Sequence, residues 1–177
     1  MHASGLNNTG RALANIGSNI YVGGDFTQAG ATVASRIAMW DGASWTALSS
    51  GTNGTVYSLS VLGSVLYVGG GFTQASTVTQ ANNIASWNGS SWSNVGQSNS
   101  GVTSTINSVD ATSGVDIYVT GTFLNVVNNG VNTSANRVAR MNIATNTWLP
   151  MDTGINATGQ VISVSYTHLT LPTTSRV

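Results

Sequence analysis

One short phrase recurs along this chain: Ile20-Tyr21-Val22-Gly23-Gly24-Asp25-Phe26, then Leu66-Tyr67-Val68-Gly69-Gly70-Gly71-Phe72, then Ile117-Tyr118-Val119-Thr120-Gly121-Thr122-Phe123. Successive copies lie about 45 to 50 residues apart, a period that belongs to repeat architectures built from one small sheet per repeat. A second landmark keeps the same rhythm. Ser4-Gly5-Leu6-Asn7, Ser50-Gly51-Thr52-Asn53, Ser100-Gly101-Val102-Thr103 and Thr153-Gly154-Ile155-Asn156 mark the turn that closes one repeat and opens the next.

Within a repeat, short apolar or alternating segments are bounded by Gly, Asn and Ser, which is the strand pattern and not the helical one. The first strand is read at Arg11 to Ile16, Val56 to Leu62 and Ile106 to Ala111, followed by a two-residue turn at Gly17-Ser18, Gly63-Ser64 and Ser113-Gly114. The Tyr-Val phrase is the second strand, and its glycines predict a bulge or a close backbone approach. A variable loop follows at 27–34, 73–81 and 124–135. The third strand is Arg36 to Trp40, Asn83 to Trp87 and Arg137 to Met141, and a hairpin at Asp41-Gly42, Asn88-Gly89 or the longer 142–147 leads to a fourth strand opening on Trp45, Trp92 or Trp148. Asp-Gly and Asn-Gly are strong hairpin signals because both residues tolerate positive φ.

Four antiparallel strands per repeat make one propeller blade. The expected fold is therefore all-β: about three blades, at 10–50, 55–98 and 104–152, with the start of a fourth at 159–162. Closed propellers use roughly four to eight blades. The expectation is an open arc of a β-propeller, not a ring.

Tyr-Val-Gly-Gly followed by a strand and a Trp resembles the kelch repeats, most closely at Met141-Asn142-Ile143-Ala144-Thr145-Asn146-Thr147-Trp148. Gly-Gly-Asp-Phe-Thr and Ile-Ala-Met-Trp-Asp-Gly-Ala-Ser-Trp are more similar still to kelch-like surface propellers of bacteria and to the ectodomain of fungal cortical markers of cell polarity. The resemblance implies a secreted or surface-displayed interaction module. The third repeat departs from it, with Thr120 for the first Gly and Met141 for the first Trp.

Composition narrows the partners. Only 6% of residues are charged, Lys and Glu are absent, and five Arg face five Asp. A nucleic-acid groove or an anionic membrane surface requires clustered cations, which this chain lacks. No apolar run approaches the roughly 20 residues of a membrane span. With no Cys, disulfides and thiolate metal sites are excluded. The surface is instead rich in Ser, Thr, Asn and Gly, a composition associated with extracellular and cell-wall proteins.

No constellation reads as catalytic. The aromatic set Tyr21, Phe26, Trp40, Trp45 and its counterparts could stack on sugars, but recurrence at fixed repeat positions points to packing between sheets. Asp25 is replaced by Gly71 and Thr122 in the other repeats, so a turn or bulge role is expected and not a metal ligand. Asp41-Gly42-Ala43-Ser44-Trp45 differs in spacing from the Asp box of sialidase propellers and reads as a hairpin. Galactose-oxidase-like copper chemistry would need Cys and His, and a glycosidase needs a carboxylate pair. Asp110, Asp116, Arg137 and Arg140 read as two surface ion pairs. No catalytic, cofactor-binding or metal-binding residue is therefore expected, no cofactor is implied, and the ligand stays unknown. Formal glycosylation sequons stand at Asn7, Asn53, Asn88, Asn132 and Asn156.

Both ends read as cut. Met1 opens at a repeat junction without a signal peptide. Residues 163–177 break the repeat, and Val164-Ser165-Tyr166-Thr167-His168-Leu169-Thr170-Leu171-Pro172-Thr173 resembles the translation of a transposon adapter used in sequencing libraries. That segment is excluded from the fold reading, and His168 with it. The expected function is a non-catalytic surface or secreted propeller for protein or glycan recognition or adhesion. The alternative is a piece of a propeller enzyme, carbohydrate-active or galactose-oxidase-like, with its chemistry in other blades.

Overall fold

The computed structural model describes residues 5–155, and every regular element among them is a β-strand. Unit 1 contains β1 (Gly10–Ile16), β2 (Asn19–Gly24), the small hairpin β3 (Gln28–Ala29) and β4 (Thr32–Val33), then β5 (Ile37–Trp40) and β6 (Trp45–Ala47). Unit 2 contains β7 (Val56–Leu62), β8 (Val65–Gly70), β9 (Ile84–Trp87) and β10 (Trp92–Asn94). Unit 3 contains β11 (Gly101–Val102), β12 (Ile106–Asp110), β13 (Asp116–Gly121), β14 (Asn125–Asn128), β15 (Val131–Ser134), β16 (Val138–Asn142) and β17 (Thr147–Pro150). Each unit forms one four-stranded antiparallel sheet: β1-β2-β5-β6, β7-β8-β9-β10 and β12-β13-β16-β17. None of the sheets closes on itself. The expected start of a further unit at 159–162 and the tail at 163–177 lie outside the described residues.

The sheets succeed one another face to face. β7 lies against β1 and β12 against β7, so the first strands of all three units gather along one side. Two cores are shared between neighbours. One joins Tyr21, Ile37 and Leu48 of unit 1 to Val56, Val68 and Phe72 of unit 2. Another joins Ile84 and Val95 of unit 2 to Ile106, Val119 and Trp148 of unit 3. Phe26, Phe72 and Phe123, the last residue of each recurring phrase, are fully buried. Recurrence thus marks packing positions, as the aromatic pattern predicts.

Hydrogen bonds lock consecutive units. The indole Nε1 of Trp92 donates to the Leu48 carbonyl at 2.9 Å, and that of Trp148 donates to the Val95 carbonyl at 3.0 Å. Ser58 and Ser60 of β7 accept from the backbone N–H of Val109 and Ala111 at 3.0 and 2.9 Å. Ala12 and Ala14 hold the matching places in β1, so the first interface has no such hydroxyl links.

The glycine pair has two separate duties. A Cβ on Gly24, Gly70 or Gly121 would sit 2.1, 2.1 or 2.0 Å from the carbonyl oxygen of Thr9, Thr55 or Thr105, so the backbones of the first two strands close on that position. A Cβ on Gly23 or Gly69 would instead meet the next unit, 2.3 Å from Cγ1 of Val56 or 2.7 Å from Cγ2 of Ile106. The expected close approach is one of backbone for the second glycine and of a β-branched side chain for the first.

Junctions between repeats are tied by a side-chain clamp. Asn53 Oδ1 accepts from the N–H of Thr73 and Gln74 at 3.0 and 2.9 Å while its Nδ2 donates to Thr73 Oγ1 at 3.0 Å. Asn7 does the same with Thr27 and Gln28. Thr103 replaces it in unit 3 and exchanges bonds of 3.3 Å with Asn125.

The hairpins into the fourth strand form as expected. Asp41 Oδ1 accepts from the N–H of Ala43 and Ser44, and Asn88 Oδ1 from Ser90 and Ser91. Trp40 and Trp45 face each other across the first hairpin with ring centroids 5.3 Å apart, as do Trp87 and Trp92 at 5.4 Å. Two segments depart from their reading as loops, the first being 27–34, which folds into the short hairpin β3–β4 with Gly30 at φ 59° in its turn. The loop at 124–135 folds into the hairpin β14–β15, joined to β11 in a three-stranded sheet, because Asn129-Gly130 supplies two consecutive positive φ values of 49° and 80°.

Candidate functional site

The three first strands share an irregularity. Register slips between Gly10 and Ala12, Val56 and Ser58, and Ile106 and Ser108, so Arg11, Tyr57 and Asn107 are the extra residues of three equivalent bulges. A bulge bends its strand and re-aims its side chain, and bulges recur beside binding sites. Here all three side chains line one cleft of about 540 Å³, together with Thr105 and Thr122.

The sequence also explains where the cleft opens. Asp25, Gly71 and Thr122 occupy one repeat position, beside Thr55 or Thr105 of the following unit. Between units 1 and 2 the Asp25 side chain fills the gap. Its Oδ1 accepts from Thr55 Oγ1 at 2.8 Å, and its Oδ2 accepts from Arg11 Nε at 2.8 Å and pairs with Arg11 Nη2 at 2.6 Å. Between units 2 and 3 the position is Gly71, whose missing Cβ leaves space bounded by Thr105 Oγ1 at 3.2 Å and Tyr57 at 3.6 Å. Asp25 is thus an inter-unit tie, beyond the turn or bulge role expected of it.

Electrostatically the cleft is close to neutral. Arg11 holds the Asp25 carboxyl below the usual carboxylate range, helped by the Thr55 hydroxyl, and Asp25 in turn raises Arg11. The guanidinium lies over the Tyr57 ring, 5.2 Å from its centroid. Such stacking fixes a flat cation on an aromatic face. The Thr122 hydroxyl is hydrogen-bonded to Ser104 at 3.0 Å. The lining offers hydroxyls, an amide, one aromatic ring and the Arg11 guanidinium, whose charge is paired with Asp25 beside the cleft. That set suits hydrogen bonding and stacking to a neutral polar ligand.

Among the described residues there is no group of three or more His, Cys, Asp or Glu placed to hold a metal ion, and no helix is long and apolar enough to cross a membrane. The charged residues of unit 3 divide differently from the two surface pairs expected. Asp116 Oδ2 accepts from Arg140 at 2.7 Å and its Oδ1 from Asn142 at 2.9 Å, with the Asp116 side chain only 8% exposed. Arg137 instead donates to the Ile155 carbonyl, and Asp110 accepts from Thr112. Of the expected pairs Asp116–Arg140 forms, and its carboxylate is buried.

Arg11, Tyr57 and Asn107 were not singled out by the sequence, since a one-residue bulge does not alter composition. A signal does exist in Thr9-Gly10-Arg11, Thr55-Val56-Tyr57 and Thr105-Ile106-Asn107, where the Thr recurs and the residue two places on changes chemistry. No family model matches this chain, and a search of curated proteins finds no match to it.

Proposed function

We propose that the three units are blades of a kelch-like β-propeller and that the chain is a non-catalytic recognition module, secreted or displayed on a surface, binding a protein or glycan at the bulge cleft. One observation carries this reading. Positions that pack repeat their residue types, as Phe26, Phe72 and Phe123 do, whereas the positions lining the cleft diverge into Arg11, Tyr57 and Asn107. A repeated frame with individual chemistry at one shared opening is the arrangement of a binding site on a rigid scaffold. The three similar four-stranded sheets stacked in order support the propeller, and the neutral, hydroxyl-rich lining supports a polar ligand.

The test is binding of the purified chain to arrays of immobilised glycans and extracellular proteins, repeated with Tyr57→Ala and Asn107→Ala. Retained binding to some class by the wild type, lost in both variants while circular dichroism stays unchanged, is the expected result. Binding that survives both substitutions would move the site elsewhere. Turnover of a bound saccharide would favour the enzyme alternative.

A further inference from the structure

Units 2 and 3 each receive a neighbour on one face, and among the described residues no neighbouring unit covers the corresponding face of unit 1. The third core of the molecule, Val22, Phe26, Ala29, Ala34 and Ala38 with Leu6 and Trp45 against it, draws on unit 1 alone, unlike the two cores shared across units. Beside it Leu13 is 70% exposed and Ile20 42%, and with Val22, Trp40 and Trp45 they line an apolar groove of about 360 Å³. Their counterparts Leu66, Val68, Trp87 and Trp92 are buried against unit 1. Trp92 and Trp148 spend their indole N–H on a carbonyl of the preceding unit, a bond that Trp45 does not make among the described residues.

The face also specifies what fits it. At each existing interface a missing Cβ on the donor unit accepts a branched side chain from the receiver: Gly23 takes Val56 and Gly69 takes Ile106. The register places Gly10 of unit 1 where Val56 and Ile106 stand. A glycine facing a glycine would leave a void, and interiors tolerate few voids. Unit 3 carries the opposite exchange, with Thr120 where Gly23 and Gly69 stand. In the sequence, Asn156-Ala157-Thr158-Gly159 follows unit 3 and matches Asn7-Asn8-Thr9-Gly10, so a glycine at the receiving position follows the unit that bears a threonine. Gly5 meanwhile holds a junction geometry: its carbonyl accepts from Gly30 N–H at 3.0 Å, as the Gly51 carbonyl accepts from Ser76 at 2.8 Å.

We infer that the exposed face of unit 1 is the seat of a further four-stranded unit of this repeat, joined through Gly5 in the same polypeptide, and that this unit is of the Tyr-Val-Thr-Gly kind, filling with a side chain the space over Gly10. The claim concerns packing order and stands apart from any ligand at the cleft.

Two fusions test it. In one, residues 104–153 are placed directly ahead of Gly5 of the chain; in the other, residues 55–100 are placed there, bringing a Gly69-type unit. Hydrogen exchange of the Trp45 indole N–H is read by NMR in both, with urea unfolding alongside. The threonine-bearing fusion slows that exchange by about tenfold or more, the value of one added buried hydrogen bond, and does so more than the Gly69-type fusion. Adding Gly10→Val reverses the preference. Equal protection by the two fusions, or protection by neither, overturns the inference. So does a concentration-dependent dimer of the unfused chain, seen by sedimentation and abolished by Leu13→Asp, because the face would then belong to a second copy.

Discussion

The indole of Trp92 reaches across a unit boundary to the Leu48 carbonyl, 2.9 Å away, and buries its ring in doing so. This bond separates the two jobs of a recurring tryptophan, filling space within a sheet and tying that sheet to its predecessor. Phe keeps most of the first job and none of the second. Trp148→Phe should lose about 1–3 kcal/mol, the cost of a buried carbonyl left without its donor, and Trp92→Phe about 0.5–1.5 kcal/mol, because the Leu48 carbonyl still accepts from the Gly51 N–H at 3.1 Å. Trp45→Phe, which breaks no such bond, should stay within about 0.5 kcal/mol in the same urea titrations. Equal losses at all three sites would show that ring volume alone matters.

The two glycines of the recurring phrase should respond differently to alanine. Gly70→Ala drives a Cβ into the Thr55 carbonyl, a backbone atom that cannot yield without breaking the sheet, and should cost several kcal/mol with no local rescue. Gly69→Ala meets the Ile106 side chain instead. Ile106→Ala costs about 2–5 kcal/mol alone, and the double variant Gly69→Ala with Ile106→Ala should be more stable than the sum of the two losses. A double-mutant cycle with coupling of about 0.5–3 kcal/mol is expected for touching residues, and additivity would place the clash elsewhere.

Acid should probe the ties at Asp25 and Asp41. Asp25 is held below the usual carboxylate range first by Arg11 and then by Thr55, and Asp41 by the backbone N–H groups of Ser44 and Ala43. A carboxyl depressed in the folded state binds its proton more readily when the chain unfolds, so its stabilisation is complete above the unfolded value of about 4. It is lost as pH falls through the lower folded value. Wild type should therefore lose stability more steeply than Asp25→Asn below about pH 4, with Asp41→Asn flattening the same window independently. Unfolding midpoints measured from pH 6 downward check this, and parallel curves would remove both carboxylates from the acid response.

Much of the frame was legible because it repeats. The four strands, the hairpins capped by Asp41 and Asn88, and the buried role of Phe26, Phe72 and Phe123 follow from periodicity and turn chemistry. The hairpins β3–β4 and β14–β15 escaped because these segments differ in length and residues from repeat to repeat and carry no recurring strand pattern, although Asn129-Gly130 between Val126-Val127 and Val131 carries the turn signal. The cleft escaped for a different reason. Arg11, Tyr57 and Asn107 meet only because three bulges shift register by one residue, and Asp25 finds Arg11 and Thr55 only once two units are stacked. Neither the shift nor the stacking distance is encoded in the local pattern of apolar residues.

The junction asparagine offers the last test, because one side chain serves both as acceptor and as donor. Asn53 receives two backbone N–H groups on Oδ1 and gives one bond from Nδ2 to the Thr73 hydroxyl. Asn53→Asp keeps both acceptors, and the Thr73 hydroxyl can turn to donate, so its cost at neutral pH should be about 0.5 kcal/mol or less. Asn53→Ala strands two backbone donors at the start of the loop that follows β8 and should cost about 1–2 kcal/mol, the range of a lost capping side chain. Unit 3 already lives with Thr103, which accepts a single bond from the Asn125 N–H at 3.3 Å. Thr103→Asn should then stabilise the chain by restoring the fuller clamp, and an unchanged urea midpoint would show that β11 and β14 hold that junction without it.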